Sequence, residues 1–208
     1  MSNDLSVVIT NWNYGQYLGA AIQSITTQTV QPVHWYIVDD GSTDAESLDI
    51  YGGLEPEHLH LMGSQQGAVA AYQRGLDLCQ TRWIIYLDAD DMLADNYVEA
   101  TMGVATLREV PWVYTDCVYV NEGGAETGKV KQCEFDATEI QKGNFIHSAC
   151  LIEADLIREA GGWQEDKLED WHLWRRVAKL GAVAVRCADT VLYYRKHGDS
   201  RMGSGRGL

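Results

Sequence analysis

Apolar positions along the chain keep two alternating rhythms. The runs over 6–10 (SVVIT), 34–39 (HWYIVD), 58–62 (HLHLM, the weakest) and 83–88 (WIIYLD) are short and largely β-branched or aromatic, and they read as strands. Between them, Leu18, Ala21, Ile22 and Ile25, and later Val69, Tyr72, Leu76 and Cys79, recur at helical spacing. Strand and helix in alternation predict an α/β fold with a mostly parallel, Rossmann-like sheet flanked by helices. Ligands of such sheets sit at the carboxyl ends of the strands.

The rhythm changes after about residue 110. The run over 112–120 (WVYTDCVYV), the Gly123-Gly124 turn and the following 129–133 (KVKQC) predict a β-hairpin. A strand follows at 148–153 (SACLIE), then a short helix over about 153–160 that stops at Gly161-Gly162. Leu173, Trp174, Val177 and Leu180 mark another helix, and 182–187 and 190–195 read as two late strands. The Gly- and Ser-rich tail, 199–208, is predicted to be flexible. No repeat or linker divides the halves. The expectation is one domain over 1–208, with a nucleotide-binding half over 1–110 and a smaller acceptor-side hairpin and helix region over 111–198.

Composition narrows the function. A net charge of −14, with only 16 Lys and Arg, speaks against a general grip on nucleic acid and against a polybasic membrane anchor. No apolar run nears the roughly 18 residues that span a bilayer. The N-terminus has no signal-peptide core, so the expected setting is cytoplasmic, with peripheral membrane association left open. Five cysteines with no CxxC pair read as reduced thiols rather than as a zinc site.

Chemistry-bearing residues gather at the predicted strand ends: TNWNYG after the first, DDGSTD after the second, DADD after the fourth. In a parallel sheet these ends share one edge, which would put Trp12, the pair Asp39-Asp40, and Asp88, Asp90 and Asp91 in one cleft. An aromatic ring can stack on a base, and a carboxylate can accept from a base N–H or a ribose hydroxyl. Mg²⁺ is usually bound by one or two carboxylates plus substrate phosphates, which suits the D-x-D spacing. Asp88 and Asp90 would face the same way if the segment stays extended. Each element alone has a plainer reading: a turn for Asp39 to Ser42, a helix cap for Asp88 to Asp91, and packing for Trp12. No G-x-G-x-x-G follows the first strand and no P-loop occurs, so a diphosphate would lean on a metal.

The ordered set VVITNWNYGQYLGAAIQSITTQT, WYIVDDGSTD, QQGAVAAYQRGLD, WIIYLDADDML, GGWQEDKLEDWHLWRRV and YYRKHG resembles the family 2 glycosyltransferases, which have the GT-A fold. The resemblance covers nearly the whole chain. It implies an inverting transfer of a hexosyl or related sugar from a nucleotide-sugar donor to a carbohydrate or glycan-type acceptor, helped by Mn²⁺ or Mg²⁺. UDP is the expected carrier, because Asp and an aromatic suit uracil, with GDP and dTDP open. By position, Thr10 and Trp12 would line the base pocket, Asp40 would read the base with Asp39 beside it, and Asp88 would contact ribose or sugar. Asp90 would be the principal metal ligand, with Asp88 and His197 as partners. Asp170 matches the catalytic base, with Glu169 its neighbour and rival.

Alternatives and departures accompany these assignments. Asp170 could be a helix cap and His197 a surface residue. Trp163, Trp171 and Trp174 could form a sugar platform, with core packing the better reading for at least two of them, and His172 stands where Asp is common, on the acceptor side. Tyr72 and Gln73 occupy places where the family often has Arg-Asn; Arg74 is the substitute phosphate contact, with helical direction against it. Two other functions compete. A nucleotide-sugar-binding module without catalysis would bind a nucleoside diphosphate without turnover. A sugar-phosphate nucleotidyltransferase would need a glycine-rich basic loop that NWNYGQY does not provide.

Overall fold

A computed structural model describes residues 4–165 and 167–198. The tail predicted over 199–208 lies outside the described residues. The first half alternates β1 (Leu5–Asn11), α1 (Gly15–Thr26), β2 (His34–Asp39), α2 (Ala45–Gly52), β3 (Leu59–Leu61), α3 (Ala68–Leu78) and β4 (Trp83–Asp88). The second contains β5 (Met92–Leu93), α4 (Tyr97–Arg108), β6 (Trp112–Val120), β7 (Glu126–Val130), β8 (Leu151–Glu153), α5 (Ala154–Glu159), α6 (Glu169–Lys179) and β9 (Ala184–Arg195). All strands join one sheet in the order β3-β2-β1-β4-β8-β6-β9-β5, with β7 paired to β6. β1 to β4 pair in parallel, whereas β8 runs antiparallel to both of its neighbours.

Continuous apolar runs mark β1 and β4 because helices cover both faces. Alternate residues serve different cores. Val8, Ile84 and Tyr86 pack with Tyr72, Leu76, Trp163 and Trp174 on the α3–α6 side, while Val7, Ile9, Ile85 and Leu87 pack with Leu18, Ile25 and Tyr97 on the α1–α4 side. Gly75 permits a close helix-to-sheet approach: a Cβ there would stand 2.6 Å from Val8 Cγ1. The parallel register aligns the strand ends, with Thr10 opposite Asp88 and Asn11 opposite Asp39.

Several sequence expectations need correction. The third strand is only Leu59–Leu61, because a 3-10 turn, Pro56–His58, occupies the start of the apolar run. The hairpin returns at Glu126–Val130, so most of KVKQC lies beyond it. The two late strands are one, β9, whose pairing with β6 jumps from Cys187 to Val191. That irregularity absorbs the polar Asp189-Thr190 without ending the strand. Helix α2 was not anticipated: it buries only Ser47, so it carries no apolar stripe, although Asp44 caps it by accepting the Ser47 N–H at 2.9 Å.

Candidate active site

Period-two alternation puts Asp88 on the same face as Tyr86, toward α3. There its Oδ1 accepts from Thr10 Oγ1 at 3.1 Å and from the Tyr72 hydroxyl, and its Oδ2 lies 3.5 Å from the Ser148 hydroxyl. Tyr72 thus fills the place of the expected Arg with a neutral donor, and its ring stacks on Trp163 at 4.4 Å. The chain does not stay extended past Asp88. Ala89 N–H is tied to Thr10 O and Asp91 N–H turns back to Asp88 O at 3.0 Å. A bend, rather than strand pleat, therefore relates Asp88 to Asp90. Nor does the segment cap a helix, since α4 starts only at Tyr97.

Asp90 and Asp91 have opposite surroundings. Asp90 Oδ2 meets His197 Nε2 at 2.9 Å. Burial and the neighbouring Asp88 raise the Asp90 pKa, against the pull of His197. His197 is not a surface residue: it is buried, with its ring packed 5.2 Å from Tyr14 and 5.0 Å from Tyr17. Asp91 is buried and accepts the Arg195 backbone N–H at 2.8 Å. Burial, then Asp90 and Asp88, push its pKa well up. Asp91 therefore acts inside the fold rather than on a ligand.

Arg195 is the residue that sequence reasoning missed. Its guanidinium is buried, with Nε donating to Asp90 O at 2.8 Å and Nη1 to Asn121 O and Glu122 O, and it stacks over Tyr17 at 4.8 Å. It ties the acidic bend to the β6–β7 turn and places positive charge among the aspartates. The only sequence signal was its position two residues before His197 in YYRKH.

The pair Asp39-Asp40 is more than a turn. Asp39 is 2% exposed and accepts from Tyr51 Oη, Gly41 N and Ser42 N. Asp40 is 3% exposed and accepts from Gln66 N at 2.6 Å and Gly67 N at 2.8 Å. Gly41 allows this with φ +82°, where a Cβ would stand 2.8 Å from Gln65 N. Both carboxylates are thus already engaged by protein donors, Asp39 through the unanticipated helix α2. Trp12, 46% exposed, follows β1 with its ring open to solvent.

Asp170 lies in the first turn of α6, where the helix dipole favours negative charge. It is not the cap, which is Leu168. Oδ1 accepts the Trp171 N–H at 2.7 Å and Oδ2 accepts from Asn144 Nδ2 at 2.8 Å. Burial raises its pKa to about 6, opposed by the Trp171 N–H and Asn144 and assisted by Glu169 and, more weakly, by Asp88. Glu169 beside Asp170 is buried.

The remaining candidates have other surroundings. Arg74 is exposed on α3 and acts on His60, whose pKa is lowered by burial and then by Arg74. Trp163 is 5% exposed and enclosed by Tyr72, Tyr86 and Trp174, so it is core and not a platform; Trp174 is fully buried as well. His172 is half-buried on α6 with its ring against Trp171. Among the described residues, no group of three or more His, Cys, Asp or Glu converges as a metal cage. Asp90 and His197, in contact at 2.9 Å, are oxygen and nitrogen donors of the kind a divalent cation accepts, while Asp88 is turned toward Thr10, Tyr72 and Ser148. No described helix is long and apolar enough to cross a membrane. All five cysteines are free.

Residues 6–154 match the family model for glycosyl transferase family 2, a span that ends before Asp170 and His197. The PGL/p-HBAD biosynthesis glycosyltransferase of Mycobacterium bovis is 34% identical over 200 residues, covering 90% of this chain and 74% of the relative. An uncharacterized glycosyltransferase of Nostoc sp. is 37% identical over 110 residues, or 51% of this chain; that stretch is 34% of the relative's length. Staphylococcus aureus TarS, solved with UDP-GlcNAc, superposes with a TM-score of 0.78 at 16% identity, covering 98% of this chain and 61% of the TarS chain. GalNAc-T7, solved with UDP, GalNAc and Mn²⁺, gives 0.70 at 17% identity, covering 95% of this chain and 45% of its own. With the parallel strand ends, the aspartate cluster and these matches in agreement, the chain belongs to the family 2 glycosyltransferases and has the GT-A fold.

Proposed function

We propose that the protein transfers a sugar from a UDP-linked donor to an acceptor hydroxyl in a single, inverting displacement, with Asp170 as general base. The observation that carries this reading is the Asp170 carboxyl, poised at about 6 on a helix N-terminus and electrostatically linked to Asp88. A base whose pKa lies near the working pH is efficient at proton removal. Asp170 would take the acceptor proton as the oxygen attacks the anomeric carbon. The leaving diphosphate departs from the opposite face, so one displacement inverts the configuration. Trp171 N–H and Asn144 hold the base in place meanwhile. Thr10 and Tyr72 fix Asp88 for the donor's ribose or sugar. UDP as the carrier is supported by the ligands of TarS and GalNAc-T7.

Asp90, Asp88 and His197 would hold Mn²⁺ or Mg²⁺. Such an ion supplies positive charge to a leaving diphosphate. The two halves would divide the labour, with residues up to about 110 taking the nucleotide and 111–198 the acceptor. The free thiols suit a cytoplasmic setting.

Turnover of UDP-glucose and UDP-GlcNAc with Mn²⁺, followed by UDP release over a panel of glycan acceptors, tests the reading. Asp170→Asn should lower kcat by roughly 10²–10⁴-fold. Asp90→Ala should remove the Mn²⁺ dependence. Full turnover in both variants would sink the mechanism.

A further inference from the structure

The segment before β8 is stapled to α6 at three points. The Trp171 indole N–H donates to Ile140 O at 2.6 Å, and that of Trp174 donates to Ile146 O at 2.9 Å. Between them Gln141 Nε2 donates to Arg175 O and Arg175 Nε donates to Gln141 Oε1, at 3.4 and 3.3 Å. These bonds determine where Asn144 stands. Its own side chain is held at both ends: Oδ1 accepts the Ile146 N–H at 3.2 Å, and Nδ2 donates to Asp170 Oδ2 at 2.8 Å. The amide cannot be turned over, because that would set its oxygen against the carboxylate and its NH₂ against an N–H.

We propose that Asn144 is the positioning residue of the base: through this one amide, the strapped segment orients the Asp170 carboxylate and keeps it ionised for proton removal. The inference rests on the reading of Asp170 as the base. Nothing in the motif pattern singles out Asn144, which sits in a polar stretch, KGNF, far from Asp170 in sequence. Its role arises because α6 places both tryptophans of EDWHLW on the segment that carries it.

The groups acting on Asp170 can be named on every side. Glu169 on its own helix and Asp88 at the end of β4 both favour its protonated form, as does burial. The Trp171 N–H and Asn144 are the two groups that favour the carboxylate. Cys150, at the edge of β8, is itself affected by Asp170 and is held in its thiol form by burial. A hydrogen bond donated to an ionised carboxylate is worth on the order of one pH unit in its titration midpoint.

The test reads that midpoint directly, from the ¹³Cγ signal of Asp170 in aspartate-labelled protein, assigned by its loss in Asp170→Asn. Asn144→Ala should move the midpoint up by about one pH unit. Asn144→Asp keeps an acceptor for the Ile146 N–H but sets a like charge against Asp170, and should move it further. The acid limb of UDP-glucose turnover with Mn²⁺ should shift by the same amount, with rates recovering toward wild type at higher pH. A merely structural role would lower turnover at every pH and leave the midpoint where it was. An unmoved midpoint in both variants overturns the proposal. If the midpoint moves and the acid limb does not, Asn144 keeps its positioning role and it is the assignment of Asp170 as the base that fails.

Discussion

Replacing Asp170 by Asn should slow turnover steeply and, at neutral pH, make the protein more stable. Its pKa rises from the ordinary 3.8 to about 6 in the folded protein, chiefly through burial. The folded state therefore binds the proton more tightly than the unfolded one. Stability from this group is fully present below about pH 4, and is lost as the pH rises through the folded pKa near 6. The full difference corresponds to roughly 3 kcal/mol of destabilisation at pH 7.5. Asn removes the charge but also weakens the bond from Asn144, at a cost of about 1 kcal/mol. Half-burial and solvent screening trim the gain further, leaving roughly 1–2 kcal/mol in favour of the variant. For a chain of this size that is about 3–6 °C in Tm. Thermal unfolding of both proteins from pH 4.5 to 8, without ligand, checks it. The advantage of Asp170→Asn should shrink or reverse toward pH 4.5. A Tm difference that stays constant across that range would refute the electrostatic account of this residue.

Other substitutions probe the supports of the site. Tyr72→Phe removes one of the donors to Asp88 while keeping the ring stacked on Trp163; it should cost about 1 kcal/mol and raise KM for the UDP-sugar more than it lowers kcat, measured by urea unfolding and initial rates. Gly41→Ala should destabilise by about 1–2 kcal/mol and weaken UDP binding, because a Cβ there meets the 64–65 backbone and disturbs the seat of Asp40, as calorimetry would report. Trp174→Ala should cost about 3–5 kcal/mol, since the ring is fully buried and its N–H holds Ile146 O.

Much of the nucleotide half was legible in the chain. WIIYLD and HWYIVD match β4 and β2 residue for residue, because runs of β-branched and aromatic residues covered on both faces over most of their length stand out from the helical periods around them. The strand-end aspartates were legible too, since parallel strands deliver their ends to one edge. The acceptor half was less so. Its pieces are short, and an irregular pairing lets β9 run through a polar stretch that reads as a break. Helix α2 escaped notice because almost nothing on it is buried.

The sequence by itself determined the fold class, the strands that carry Asp39 and Asp88, and the gathering of aspartates at the strand ends, because hydrophobic period and strand-end composition are local properties. Tertiary structure alone decided which protein groups each carboxylate meets. Asp91 looks like Asp90 in the sequence, and only the Arg195 backbone N–H on the one and His197 on the other, both from a remote strand end, separate them; Asp39 and Asp40 are both held by protein donors. It likewise decided that Trp163 is core, that Arg74 is exposed, and that Asn144 reaches Asp170. Each of these depends on a partner brought from another segment, and the free energy of such a contact is not written in the residues on either side of it.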